Sequence, residues 1–149
     1  MDNKERMKQI LKDTRDHYAE DPDNRRSIDK DGNCKYTWGK QHCAVGRYLK
    51  PEYQREDWVD NNMSVNELTA YTDDRSSIDW CLRDDVQGLD VNFWKNIQDF
   101  HDTHSCWITK NDYNKDDEPI GLSRIGKDNY RIIEKKINMG DYDDTRREV

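Results

Sequence analysis

Small aliphatic side chains are scarce in this chain: 149 residues hold three alanines (Ala19, Ala44, Ala70) and six leucines. Hydrophobic residues make up 32% against 38% charged, and the mean hydropathy is -1.34. The core is therefore expected to lean on aromatics more than on aliphatics. No apolar run approaches the roughly 18 residues that a membrane span requires, and the opening MDNKERMKQILKD lacks the apolar stretch of a secretory leader. The sequence therefore predicts a soluble chain that stays in the cytoplasm of the cell that makes it. Its four cysteines are expected as thiols, not as a disulfide framework. An excess of basic residues is missing too. The net charge of -7 argues against direct binding of duplex DNA, which depends on neutralising phosphates. Neither G-x-x-x-x-G-K-[ST] nor G-x-G-x-x-G occurs, so the common nucleotide-phosphate loops are absent.

Aromatics fill the gap: five Trp, eight Tyr and two Phe. Each buries roughly 150–250 Å², enough for these rings to carry a core in a domain of this size. Aspartate outnumbers glutamate 24 to 8, with twelve asparagines. Such side chains favour caps and turns over helix interiors, so many short elements joined by polar turns are expected.

Met7, Ile10, Leu11, Thr14 and Tyr18 recur at helical spacing and predict a first helix from about Asn3 to Ala19, stopped at Pro22. Cys34 to Trp38 alternates and reads as a short strand, turned by Gly39-Lys40. Residues 42–49 read as a short buried helix ending before Pro51. Ser64-x-x-Glu67 is a capping box. Residues 77–89 fit a strand and a helix equally well. Asp90 caps a helix with Phe93, Trp94, Ile97, Phe100, His101 and His104 on one stripe. Asn111 to Pro119 reads as a mobile polar loop. Ser123 starts the last helix, with Tyr130, Ile133 and Ile137 inward, and Gly140 ends it. The predicted architecture is mainly α with a small β element (α+β). It is a single domain over residues 1–140, with about five helices around a short strand or hairpin and a frayed polar tail at 141–149.

Four groupings bear on chemistry. Cys34, Cys43, His101 and His104 are zinc-type ligands, but the spacings C-x₂₋₄-C and H-x₃₋₅-H are absent. Buried structural thiols are the commoner fate of such cysteines. Cys43, with His42 or His101 as base but no identifiable orienting Asn or Asp, is a weaker candidate nucleophile. Gly121 to Lys127 opens a helix at which Ser123, Arg124 and Lys127 could hold an anion, although N-capping by Ser123 alone also accounts for that pattern. Acidic runs at Asp84-Asp85, Asp116-Asp117-Glu118 and Asp141 to Asp144 suggest charge mimicry, yet Lys and Arg are interspersed nearly throughout.

Cys34-Lys-Tyr36, then His42-Cys43-Ala44-Val45-Gly46-Arg47-Tyr48-Leu49, then Phe93-Trp94-x-x-Ile97-Gln98-x-Phe100-His101-Asp102 and Trp107 form a recognisable layout. It resembles small uncharacterised proteins of tailed bacteriophages and prophages with C-x-Y, C-A-x-G-R and Q-x-[LF]-H-D motifs. It is also loosely similar to a bacterial domain of unknown function. The resemblance spans about residues 34–107 and implies an origin: a phage accessory protein in the cytoplasm of a host cell. On the residues themselves, Gly46 is expected to admit a neighbouring backbone, and Arg47 to pair with Asp102.

The first functional expectation is a non-enzymatic accessory protein that binds and modulates a host component, a counter-defence inhibitor being one form. The second is a binder of a small nucleotide-like anion, using Tyr36, Trp38 and Tyr48 for stacking and Arg47, Arg124, Lys127, His101 and Asp102 for polar contacts. The third is a metal- or thiol-dependent hydrolase around Cys43, His101 and Asp102. No cofactor and no membrane partner is expected, and a homodimer is compatible with the surplus of aromatics.

Overall fold

In the computed structural model, which describes residues 2–28, 31, 33–72, 76–110 and 119–142, each long helix begins where a short polar side chain takes up free backbone N–H groups. The Asp2 carboxylate accepts from the Glu5 N–H at 2.8 Å and opens α1 (Asn3–Glu20). Met7, Ile10, Leu11, Thr14 and Tyr18 are buried on one face of it, as their spacing requires. Asp21 and Pro22 end α1 and begin the one-turn α2 (Pro22–Arg25). The predicted capping box opens α3 (Val65–Leu68): the Glu67 N–H donates to Ser64 Oγ, and the Ser64 N–H donates back to Glu67 Oε1. Asp90 caps α4 (Val91–Asp102) and Ser123 caps α5 (Arg124–Asn138). Gly140, at φ +72°, lies just past Met139, the C-cap of α5.

Two antiparallel pairs complete the α+β architecture. β1 (Thr37–Trp38) and β2 (Gln41–His42) form a hairpin about Gly39 (φ +62°) and Lys40. β3 (Trp107–Ile108) pairs with β4 (Gly121–Leu122), a second small sheet that no sequence pattern announces. Helix α1 packs on α4, α5 and β4. The largest fully buried side chains include Trp94, Trp107, Tyr18 and Phe93. Their rings meet at angles well away from parallel: Phe93 to Trp94 at 5.4 Å, Phe100 to Trp107 at 5.0 Å, Tyr18 to Trp107 at 6.0 Å. Aromatic rings supply the four largest fully buried side chains, yet 14 buried Leu, Ile and Val stand beside eight buried aromatics, so the core is shared between the two classes and the expectation that aliphatics could not supply it is corrected.

Several local expectations are corrected. Residues 42–49 do not form a helix; β2 is followed by a turn and the single 3-10 turn Gly46–Tyr48. The reason is non-local pairing. The Cys43 N–H donates to Tyr36 O, the Val45 N–H to the Gln98 side chain, and the Lys50 and Arg83 N–H groups to the carbonyls of Cys81 and Tyr48. Residues 77–89 are neither strand nor helix but two 3-10 turns, Asp79–Cys81 and Asp84–Val86. Helix α4 ends at Asp102, so His104 is not part of its stripe. It is exposed and lies in the following 3-10 turn, His104–Cys106. Tyr142, expected in the tail, is buried against Phe93 and donates to Asn96 Oδ1 at 2.6 Å. The packed body therefore reaches Tyr142, past the boundary expected at residue 140. The expected mobile loop falls mainly on residues 111–118, and the rest of the expected tail on 143–149; both lie outside the described residues.

Gly46 shows why the hairpin and the 3-10 turn fit together. A Cβ added there would lie 2.1 Å from the Tyr36 carbonyl oxygen. Gly39 is the contrast: its φ is positive, but nothing lies within 4 Å of an added Cβ. Gly46→Ala is expected to cost about 3 kcal/mol or more, because backbone must move. Gly39→Ala is expected to cost about 1–2 kcal/mol, the strain of a left-handed alanine. Urea unfolding of both variants checks the ranking, and equal losses would show that the close approach at Gly46 is relieved cheaply.

Candidate functional site

The last turn of α4 presents two polar side chains, His101 and Asp102, beside a face that is otherwise apolar. His101 is fully buried, with its ring 4.7 Å from that of Tyr18 in edge-on geometry. Nδ1 of His101 lies 2.7 Å from Asp102 Oδ1, and the same oxygen accepts from Gln98 Nε2 at 2.8 Å. Gln98 is itself fixed from the other side, because its Oε1 accepts from the Val45 N–H at 3.1 Å. An ionised carboxylate only accepts hydrogen bonds, so the Nδ1 proton is the one donated to Asp102. The remaining nitrogen, Nε2, is buried without a hydrogen-bond partner among the described residues.

The backbone of this turn is held by two buried donors. Arg26 reaches across from the segment after α2, with Nε 3.0 Å from His101 O and a terminal nitrogen 3.3 Å from Asp102 O. Trp107 Nε1 shares its proton between Phe100 O and His101 O at 3.2 Å each. Carbonyls that a helix end leaves open are thus satisfied inside the protein.

Cys34 comes to the same place through the bridge that pairs it with Ile28. Its Sγ, a ring nitrogen of His101 and a carboxylate oxygen of Asp102 all lie within 4.8 Å of one another. Beside them opens a cleft of about 250 Å³ whose walls include Cys34, Tyr36, Glu67, Lys95, Asp99 and Asp102. That volume is below the roughly 300–1,000 Å³ of typical small-molecule sites, so it suits an ion or a very small ligand better than a nucleotide.

The other three thiols are shut in by burial. Burial pushes the Cys43 and Cys106 thiols up, and the Cys81 thiol up to about 12; none is poised as a nucleophile. Burial pushes His101 below the usual imidazole range, against the opposing hydrogen bond to Asp102, so the ring is neutral at pH 7. Asp99 is pushed up by burial and by the neighbouring Asp102 carboxylate.

Of the residues expected to act, the structure brings together Cys34, His101 and Asp102, with Tyr36 on the cleft wall. Cys43 is buried with Sγ accepting from the Gly46 N–H at 3.2 Å, so the thiol beside His101 and Asp102 is Cys34. Arg47 does not pair with Asp102. It donates to Asp13 O and lies over the Tyr48 ring, while Arg26 occupies the position facing the end of α4. Tyr36 and Tyr48 are buried, Trp38 lines a separate hollow beside Asp23 and Gln41, and Arg124 and Lys127 lie in the first turn of α5. Ser123 Oγ there accepts from the Gly126 N–H, an ordinary N-cap. These side chains do not line one common pocket. Arg26 goes unnoticed in the sequence, and Gln98 figures there only within the Q-x-[LF]-H-D layout, with no role assigned. Gln98, a polar residue on the apolar stripe of α4, carried a readable signal; Arg26, in a polar loop, carried none.

Helix α5 offers a second feature. Ile125, Ile132 and Met139 are 51%, 55% and 65% exposed and recur every seven residues on its outer side. The helix has five basic against two acidic residues in a chain of net charge -7.

Comparison with protein-family models, with curated proteins and with solved structures finds no match to this chain.

Two outcomes follow from these contacts. Gln98→Leu keeps the shape but strips the Val45 N–H of its acceptor, and is expected to cost about 1–3 kcal/mol in urea unfolding; an unchanged midpoint would mean that Val45 finds another partner. His17 supplies one part of the pH dependence. Burial, with Arg47 and Arg25 nearby, pushes it down to about 4 from 6.5. Between those values the unfolded chain takes up a proton that the folded chain refuses, so stability falls as pH drops from about 6.5 to 4. Thermal melts of His17→Gln are expected to show a shallower decline over that window than the parent chain.

Proposed function

We propose that this protein acts by docking onto another protein, and that the outer face of α5 is the contact. The observation that carries the reading is the exposed row Ile125, Ile132 and Met139 on a basic helix of an acidic chain. A spacing of seven residues keeps the row on one side of the helix for its whole length, the pattern by which one helix offers a seam to another. Lys127, Arg131, Lys135 and Lys136 are carried by the same helix. A partner segment that is acidic and amphipathic satisfies both the apolar row and the charge. A second copy of α5 would set basic residues against basic residues, which disfavours self-pairing through this face.

The alternative of a nucleotide-like ligand has less support, since Tyr36 and Tyr48 are buried and Arg47 is engaged elsewhere. The resemblance to tailed-phage proteins makes the partner a protein of the host cell, a defence component included. Binding of that kind, without catalysis, is the accessory role we propose.

A photo-reactive phenylalanine analogue placed at Ile132, in the cell that makes the protein, tests this. The expected result is one discrete adduct whose cross-linked peptide is acidic. It should be lost in the Arg131→Glu/Lys135→Glu variant and absent when the label sits at exposed Glu52. These surface changes are expected to leave stability within about 0.5 kcal/mol. Adducts that survive charge reversal, adducts to a second copy of this chain, or no adduct at Ile132 would each overturn the reading.

A further inference from the structure

The group at the end of α4 has no part in that docking face, and its chemistry points elsewhere. Cys34, His101 and Asp102 supply one sulfur, one nitrogen and one oxygen donor within 4.8 Å of each other. We infer that Cys34, His101 and Asp102 form a binding site for a divalent transition-metal ion of the zinc type, open on its fourth side to the cleft.

Three observations converge on it. The first is the donor set. Thiolate, imidazole and carboxylate together suit zinc and its neighbours in the first transition row, whereas calcium and magnesium prefer oxygen donors throughout. Donor atoms on a tetrahedral zinc stand about 3.3–3.8 Å apart, given metal–ligand distances near 2.0–2.3 Å. Bringing atoms within 4.8 Å to that spacing takes side-chain movements of about 1 Å. Cys34 is half-buried in irregular chain that pairs with Ile28, where such movement is local.

The second observation is how close two of the donors already stand. Nδ1 of the fully buried His101 ring lies 2.7 Å from Asp102 Oδ1. An ion bound by both takes the place of the proton between them, which moves to Nε2, so the ring stays neutral and binds through Nδ1. A cation is the partner that an imidazole nitrogen, a thiol and a carboxylate can share.

The third is the support around the donors. Metal-binding side chains are generally held by an outer layer of hydrogen bonds. Here Gln98 fixes the Asp102 carboxylate, and Arg26 and Trp107 fix the backbone of the turn that presents both α4 donors. The cleft beyond carries Glu67 and Asp99 against Lys35 and Lys95, so its walls add no net charge, and the nearby Arg26 guanidinium is outweighed by the Cys34 thiolate and the Asp102 carboxylate together. Three protein donors with an open side also describe the zinc sites that bind a water or a small ligand, in contrast to closed four-donor structural sites. Binding takes the thiolate form of Cys34, and the thiol proton passes to solvent.

Cobalt(II) titration of the chelator-treated, reduced full chain tests the site, because a cobalt–thiolate bond gives a charge-transfer absorption that imidazole and carboxylate alone do not. The expected result is one cobalt per chain with that band, displaced by zinc. Cys34→Ser should abolish the band, and Asp102→Asn should weaken affinity at least about tenfold. Cys34 is half-buried and Asp102 partly exposed, so both variants are expected to fold, which circular dichroism verifies. No band in the parent chain overturns the site whatever the variants do. A band that persists in Cys34→Ser, or cobalt binding without the band, overturns it as well. Loss of the α5 cross-link would leave these outcomes unchanged, so the two proposals fail separately.

Discussion

The structure depends on how the C-terminal end of α4 is closed. A helix leaves its last carbonyls without partners, and here three of them, on Phe100, His101 and Asp102, are met by the Trp107 indole and the Arg26 guanidinium. Both donors are buried, and they come from different parts of the chain: Arg26 from the segment after α2, Trp107 from β3. Gln98, one turn earlier, ties the same helix to the backbone of Val45. Helix α4 is thus the common support of the first helical segment, the hairpin region and the second sheet.

This arrangement also explains why a chain poor in aliphatics can hold polar groups inside. Burying a guanidinium and an imidazole is costly unless each is paired. Arg26 recovers part of that cost from carbonyls and from the nearby Asp102 charge. His101 recovers part by staying neutral and donating to Asp102. What is not recovered among the described residues is Nε2, and Cys34 arrives beside the same ring and the Asp102 carboxylate. Polar side chains at the end of α4 therefore serve the fold and create the site in one step.

The two functional features occupy different elements and rest on different physics. The Cys34 group is small, partly buried and positioned by hydrogen bonds over long sequence separations. The row on α5 is exposed, repetitive and set by helical geometry alone. Its opposite face, through Ile133 and Ile137, is what fastens α5 to the core, so the outer row is not needed to hold the helix in place.

Much of the framework is legible because its causes are local. The caps at Asp90 and Ser123, the capping box at Ser64 and Glu67 and the stripe on α1 follow from spacing and from side-chain chemistry within a few residues. The stretch 42–49 misleads for the opposite reason. Its apolar spacing suits a helix, but its N–H groups find partners in Tyr36 and Gln98, and contacts of that range leave no trace in a local pattern. Likewise the sequence by itself determined that Cys34, His101 and Asp102 were of ligand type. Only the tertiary structure chose Cys34 over Cys43 as their companion and replaced Arg47 with Arg26. Both choices are made by packing between segments far apart in the chain, as the Arg26 to His101 bond illustrates with a separation of 75 residues.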